Sequence, residues 1–146
     1  MKFLALIIYS VFALTGNTWL TNFEEAKKIA KEKDQYILLT FSGSDWCGPC
    51  IRLHKEIFES KDFSSMAEGK LVLVNADFPR QKKNQLAKEM QQQNDKLADM
   101  YNPNGNFPST VLLNADGKVI KVWDGFPKDG AAKFSEDINF SMNASK

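Results

Sequence analysis

Two short runs in the chain are almost wholly apolar: Tyr36 to Phe41, YILLTF, and Leu71 to Ala76, LVLVNA. Both have strand length, and runs without polar alternation suit strands buried on both faces of a sheet. Ahead of the first, Phe23, Ala26, Ile29 and Ala30 recur at helical spacing behind the capping-box pattern Thr21-x-x-Glu24. With the polar exit Lys31 to Asp34, they predict a helix of about three turns. Between the two runs, Pro49 to about Ser60 offers Ile51, Leu53, Ile57 and Phe58 on one side and Arg52, Lys55 and Glu59 on the other. Pro49 fits a first helical turn, where a missing N–H costs nothing. Strand, helix, strand in that order predicts a parallel pair joined by a right-handed crossover.

Further along, Leu86, Met90, Leu97 and Tyr101 form a thin apolar stripe in a polar stretch, predicting a helix over Gln81 to Tyr101. Ser109 to Leu113 and Lys118 to Trp123 flank Asn114-Ala-Asp-Gly117, a hairpin turn signal. Gly125 and Pro127 precede a last helix in which Ala131, Phe134 and Ile138 share a face. The predicted class is therefore an α/β layer fold whose sheet ends in an antiparallel hairpin.

The N-terminal segment reads differently. Lys2 is followed by the apolar run Phe3 to Leu14 and then by Thr15, Gly16 and Asn17. Basic start, apolar centre and small-residue exit give the order of a secretory signal, and the run falls short of the roughly 20 residues a membrane span needs. A cleaved leader over residues 1–17 and one domain over 18–146 are expected, with a secreted or periplasmic location and no stable membrane insertion after cleavage. A core helix or an uncleaved anchor is the alternative. No Cys stands just after the run, which excludes a lipid-modified N-terminal cysteine.

Composition narrows the class. The chain has 146 residues, 43% hydrophobic, with 11 Phe and 3 Trp, enough apolar bulk for one real core and against disorder. Its 19 Lys+Arg against 18 Asp+Glu leave no broad electrostatic footprint for nucleic acid or anionic membrane. A monomer without a nucleic-acid partner is expected. Asn139-Phe-Ser141 and Asn143-Ala-Ser145 fit the N-glycosylation pattern, a weak signal.

The chemistry lies in Trp46-Cys47-Gly48-Pro49-Cys50, just beyond the first predicted strand and at the start of the crossover helix. Sites in open α/β sheets gather outside the carboxyl ends of the strands. A disulfide over so short a loop would stabilise by only about 2 kcal/mol and would join one helical turn to itself, so a structural staple is a poor reading. At a helix N-terminus, unpaired N–H groups and the positive end of the macrodipole favour a thiolate at Cys47. Lowering a thiol from about 8.5 to about 7 raises its ionised share at neutral pH from roughly 3% to roughly 50%. Cys47 would attack a substrate disulfide, and Cys50, one turn inward, would resolve the mixed disulfide. Gly48 and Pro49 keep the turn tight. Cys47, Cys50 and His54 could also be read as soft metal ligands; zinc lacks a fourth Cys or His, while copper(I) is allowed by ligand count. The preferred reading assigns no metal and no cofactor.

WCGPC after the YILLTF strand, Phe107-Pro108-Ser109-Thr110, and the NADGKVI hairpin followed by Gly125 together resemble the thioredoxin superfamily, over about Asn22 to Phe140. The leader, the SGSDWCGPC lead-in and the long polar insertion are similar to its secreted or periplasmic members. The resemblance implies a thioredoxin-like fold, a central mixed sheet flanked by helices with a C-terminal hairpin and helix. It also implies a thiol–disulfide oxidoreductase that reduces or reshuffles protein disulfides. Cys47 and Cys50 match the nucleophile and the resolving thiol. Pro108 matches the cis proline that lies against the active-site disulfide, Phe107 the residue presenting backbone groups to a substrate chain, and Trp46 the aromatic flank. Protein disulfides are the implied partners, with a membrane-bound electron donor by family analogy. Gly-Pro between the cysteines resembles reducing thioredoxins, with potentials near about −270 mV. A binding or chaperone module, or a copper carrier, is the alternative.

Two departures stand out. The family's buried acid falls at Thr40, which cannot take up a proton as a carboxylate does; water, Asp45 or another residue must then receive the Cys50 proton. The insertion Pro79 to Asn106 is longer than in a minimal thioredoxin and mildly basic.

Overall fold

The computed structural model describes residues 17–146, so all of the expected leader except Asn17 lies outside the described residues. The elements run β1 (Trp19–Leu20), α1 (Phe23–Lys33), β2 (Tyr36–Ser42), α2 (Gly48–Arg52), a π-helical stretch (Leu53–Phe58), and α3 (Lys61–Ala67). They continue with β3 (Leu71–Asp77), a 3-10 turn (Lys82–Asn84), α4 (Lys88–Tyr101), β4 (Ser109–Leu113), β5 (Val119–Asp124) and α5 (Gly130–Ala144). Among the described residues no helix is long and apolar enough to cross a membrane.

The sheet order is β1-β3-β2-β4-β5. β1 and β2 both run parallel to β3, while β4 is antiparallel to β2 and to β5, so the sheet is mixed and ends in the expected hairpin. Successive residues of a strand point to opposite faces, and β2 shows why its sequence lacks alternation. Ile37, Leu39 and Phe41 enter one core with Phe23, Ala26 and Ala30 of α1 and Leu97 of α4. Leu38 enters the other, with Leu53, Ile57, Phe63, Phe134 and Ile138. Helices thus cover both faces, and the central strand has no wet side.

Local chemistry adjusts several boundaries. Asn22, not Thr21, caps α1: its side-chain oxygen accepts from the Glu25 amide at 3.0 Å, and asparagine is as good an N-cap as any residue. Thr21 instead gives its carbonyl to Gln93 at 2.9 Å. The helix expected over Pro49 to Ser60 is continuous but widens into a π turn, in which the Glu59 amide bonds the His54 carbonyl five residues back. Ser60 then caps α3, which the periodicity did not reveal; it accepts from the Phe63 amide and donates to the Ile57 carbonyl. In the hairpin turn, the Asn114 side chain accepts the amides of Asp116 and Lys118, and Gly117 adopts φ 84°.

The helix expected from Gln81 starts only at Lys88. Gln85 and Ala87 take extended ψ values of 135° and 149°, and the residues before them are held by a tertiary tie described below. A specific long-range anchor overrides a weak helical preference.

Candidate active site

Cys47 is the N-cap of α2, and its sulfur accepts the Cys50 amide at 3.3 Å. The two cysteines are joined in a disulfide, with Cα atoms 5.2 Å apart. The turn is set from the preceding loop: the Gly43 carbonyl accepts the Cys47 amide at 2.8 Å and the Trp46 amide at 3.3 Å. Both cysteines are 4% exposed, so accessibility does not rank them. Position does. Cys47 is the N-cap at the positive end of the helix, whereas Cys50 lies inside the helix and its own amide points at the Cys47 sulfur. Gly48 and Pro49 form the exposed crest of the turn.

Trp46 is fixed on several sides. Its indole N–H donates to the Phe78 carbonyl at 2.7 Å, and the Phe107 ring meets it edge-on at 5.4 Å between centroids. Its other constraint is Gly43: a Cβ there would fall among the indole atoms, so only glycine allows this packing. The Phe107–Pro108 peptide is cis, and the Gly125 amide donates to the Pro108 carbonyl at 2.8 Å. Trp46, Phe107, Phe78, Pro79, Arg80 and Gly105 line one groove beside the cysteine turn. Trp46 and Phe107 are therefore brought together, with Pro108 buried behind them.

Asp45, just before Trp46, organises the far wall. Its carboxylate accepts the amides of Arg80 and Gln81, both at 2.9 Å, and the side-chain amide of Asn84 at 3.0 Å. The Arg80 amide bond, then the Asn84 bond and, more weakly, the Gln81 amide hold its pKa below the usual carboxylate value against an opposing desolvation. The Arg80 guanidinium lies over the Trp46 ring, 3.6 Å from its centroid. Asp77 supports the same loop from β3, accepting from the Ser44 amide and hydroxyl at 2.9 and 2.5 Å.

Thr40, at the position of the expected acid, is 3% exposed, and its hydroxyl donates to the Ser109 carbonyl at 3.4 Å. The Asp45 carboxylate is committed to the 80–84 segment. His54 lies against the rings of Trp19 and Phe58, with Glu59 3.6 Å away. Among the described residues no group of three His, Cys, Asp or Glu side chains converges as metal ligands. The roles of Gly43, Asp45, Phe78 and Arg80 escaped sequence reasoning. An acid beside the CxxC motif facing an unusual basic insertion was the one available signal.

A family model described as a thioredoxin-like domain matches residues 23–136. "Disulfide bond reductase DsbH" of Chlamydia pneumoniae is 36% identical over 121 residues, covering 83% of this chain and 71% of that protein. "Thioredoxin-related protein DsbJ" of the same organism is 32% identical over 120 residues, covering 82% of this chain but 34% of its own length. A solved structure of "DsbH Oxidoreductase" superimposes with a TM-score of 0.78 at 32% identity, covering 86% of this chain and 84% of that one. A thioredoxin from Thermus thermophilus, at 16% identity and a TM-score of 0.64, covers 85% of each chain and shares the fold.

Proposed function

The chain belongs to the thioredoxin-like family, and from that membership we infer that it is a thiol–disulfide oxidoreductase that reduces or reshuffles disulfides in proteins outside the cytoplasm. The observation that carries this reading is the bonded Cys47–Cys50 pair at the start of a helix, beside a groove lined by Trp46 and Phe107.

In the reduced protein, the Cys50 amide and the first helical N–H groups stabilise a thiolate on Cys47. That thiolate attacks one sulfur of a substrate disulfide. The substrate S–S bond breaks, a Cys47–substrate bond forms, and the other substrate sulfur leaves as a thiolate that water protonates. Cys50 then loses its proton and attacks the Cys47 sulfur, closing the disulfide seen in the structure and releasing the second substrate thiol. Two electrons pass to the substrate. With the Thr40 hydroxyl given to Ser109 and Asp45 tied to the insertion, water receives the Cys50 proton. An external dithiol or a membrane-bound donor resets the couple.

Trp46 and Phe107 form the surface on which the substrate chain rests, backed by the buried Pro108. The reading places the working domain at residues 18–146, exported by the leader at 1–17, and acting as a monomer. Insulin reduction with dithiothreitol as electron source tests it: wild type accelerates precipitation and Cys47→Ser falls to the dithiothreitol baseline. Equal rates for the two would reject the reading. The Cys47–Cys50 potential reports direction, a value near about −270 mV marking a reductant and one near about −120 mV an oxidant.

A further inference from the structure

We infer that Arg80 makes this site prefer disulfides flanked by acidic side chains, an inference that rests on the oxidoreductase reading above. The guanidinium lies over Trp46, the residue next to Cys47, with its carbon 3.6 Å from the ring centroid, within the groove that Phe107 and Phe78 complete. A guanidinium held by its face on an indole still presents its N–H edge, the edge that grips a carboxylate in bidentate fashion.

Arg80 is also fixed in advance. Its amide and that of Gln81 are bound by Asp45, which anchors the backbone from which the side chain reaches. A substrate carboxylate therefore meets a cation whose ordering is already complete.

The contrast with Arg52 shows that this cation is available. Arg52 also stacks on an aromatic ring, Phe126, at 4.4 Å, but Glu56 neutralises it through two bonds of 3.0 and 3.2 Å. Arg80 has no acidic side-chain partner for its guanidinium among the described residues. Residues 79–88 further hold Lys82, Lys83 and Lys88 and no acid, on a chain whose formal net charge is only +1. Lys82 and Lys83 are exposed, so the segment is locally basic in a nearly neutral protein even with the Asp45 carboxylate bound to its backbone.

The test uses the reduced full-length domain and three peptides, each closed by one disulfide and flanked by Glu, Gln or Lys. Bis(2-hydroxyethyl) disulfide serves as an uncharged reference. Single-turnover oxidation of the protein is followed at low salt. Wild type should react about fivefold faster with the Glu peptide than with the Lys peptide, and the ratio should shrink toward one in 0.5 M salt. Arg80→Gln should flatten the ratio and Arg80→Glu should invert it. Because the ratio is read, any displacement of Trp46 that slows all peptides alike cancels. A wild-type ratio of one, or a ratio unchanged in Arg80→Glu, overturns the inference and leaves the oxidoreductase reading standing. Failure of wild type to reduce even the uncharged disulfide overturns both.

Discussion

The Asp45 carboxylate accepts the Arg80 backbone amide at 2.9 Å across 35 residues of sequence, and through it the insertion is stitched to the residue beside the CxxC motif. The Asp45–Arg80 tie positions the far wall of the groove, because the Arg80 side chain then turns back over Trp46. Two segments distant in sequence thus meet at the turn that carries Cys47.

Removing this tie should loosen the 80–84 segment without unfolding the domain. In Asp45→Ala, the amides of Arg80 and Gln81 should lose protection from hydrogen exchange while those of β2 keep theirs. Acid should do the same to wild type. The folded Asp45 carboxyl titrates below its ordinary value of 3.8, so the anchor is in full force above about pH 4 and is lost as pH falls through the lowered value. Protection at Arg80, corrected for intrinsic exchange, should therefore hold at pH 5 and be lost only as pH falls below the ordinary carboxylate value of 3.8. Loss already at pH 5 would contradict the assignment.

Gly43→Ala should displace Trp46, since the added methyl falls among the indole atoms. The overpacking should cost about 1–3 kcal/mol in urea denaturation. Insulin reduction should fall by about tenfold, because the indole no longer borders the Cys47 turn. Wild-type activity in this variant would show that Trp46 placement is immaterial.

Thr40→Asp would install a carboxyl in a site 3% exposed. Desolvation raises its folded pKa above the unfolded value, so the penalty is absent below the unfolded pKa, grows as pH rises from there, and levels off above the folded pKa. The variant should melt close to wild type at pH 4 and lose about 2–4 kcal/mol at pH 8. Thermal melts across that range check it; a pH-independent deficit would mean that the side chain finds water.

Core and surface of the sheet should respond unequally. Leu39 is 0% exposed in the α1-facing core, and Leu39→Ala should cost about 2–5 kcal/mol. Val122 on the edge strand is 42% exposed, and Val122→Ala should stay within about 0.5 kcal/mol. Equilibrium urea unfolding of the two variants measures both.

What the sequence made legible were the features in which local pattern and tertiary demand agree. The unbroken run at Tyr36–Phe41 signalled a strand covered on both faces, Asn114–Gly117 signalled its own turn, and the CxxC spacing placed Cys47 at a helix start. The two-residue β1 is too short to carry a period, and α3 is one short helix announced mainly by the Ser60 cap. The start of α4 was misplaced because Asp45 captures the amides at 80 and 81, a contact without local signature. For the same reason the contact of Arg80 was not legible: nothing near position 80 in sequence shows that Trp46 lies beneath it.

The central claim is that Cys47 attacks and Cys50 resolves, and trapping the covalent intermediate tests it most directly. Reduced Cys50→Ser mixed with oxidised insulin should accumulate a mixed disulfide, mapped by mass spectrometry to Cys47, while Cys47→Ser should form none. An adduct through Cys50 in Cys47→Ser, with none from Cys50→Ser, would contradict the account.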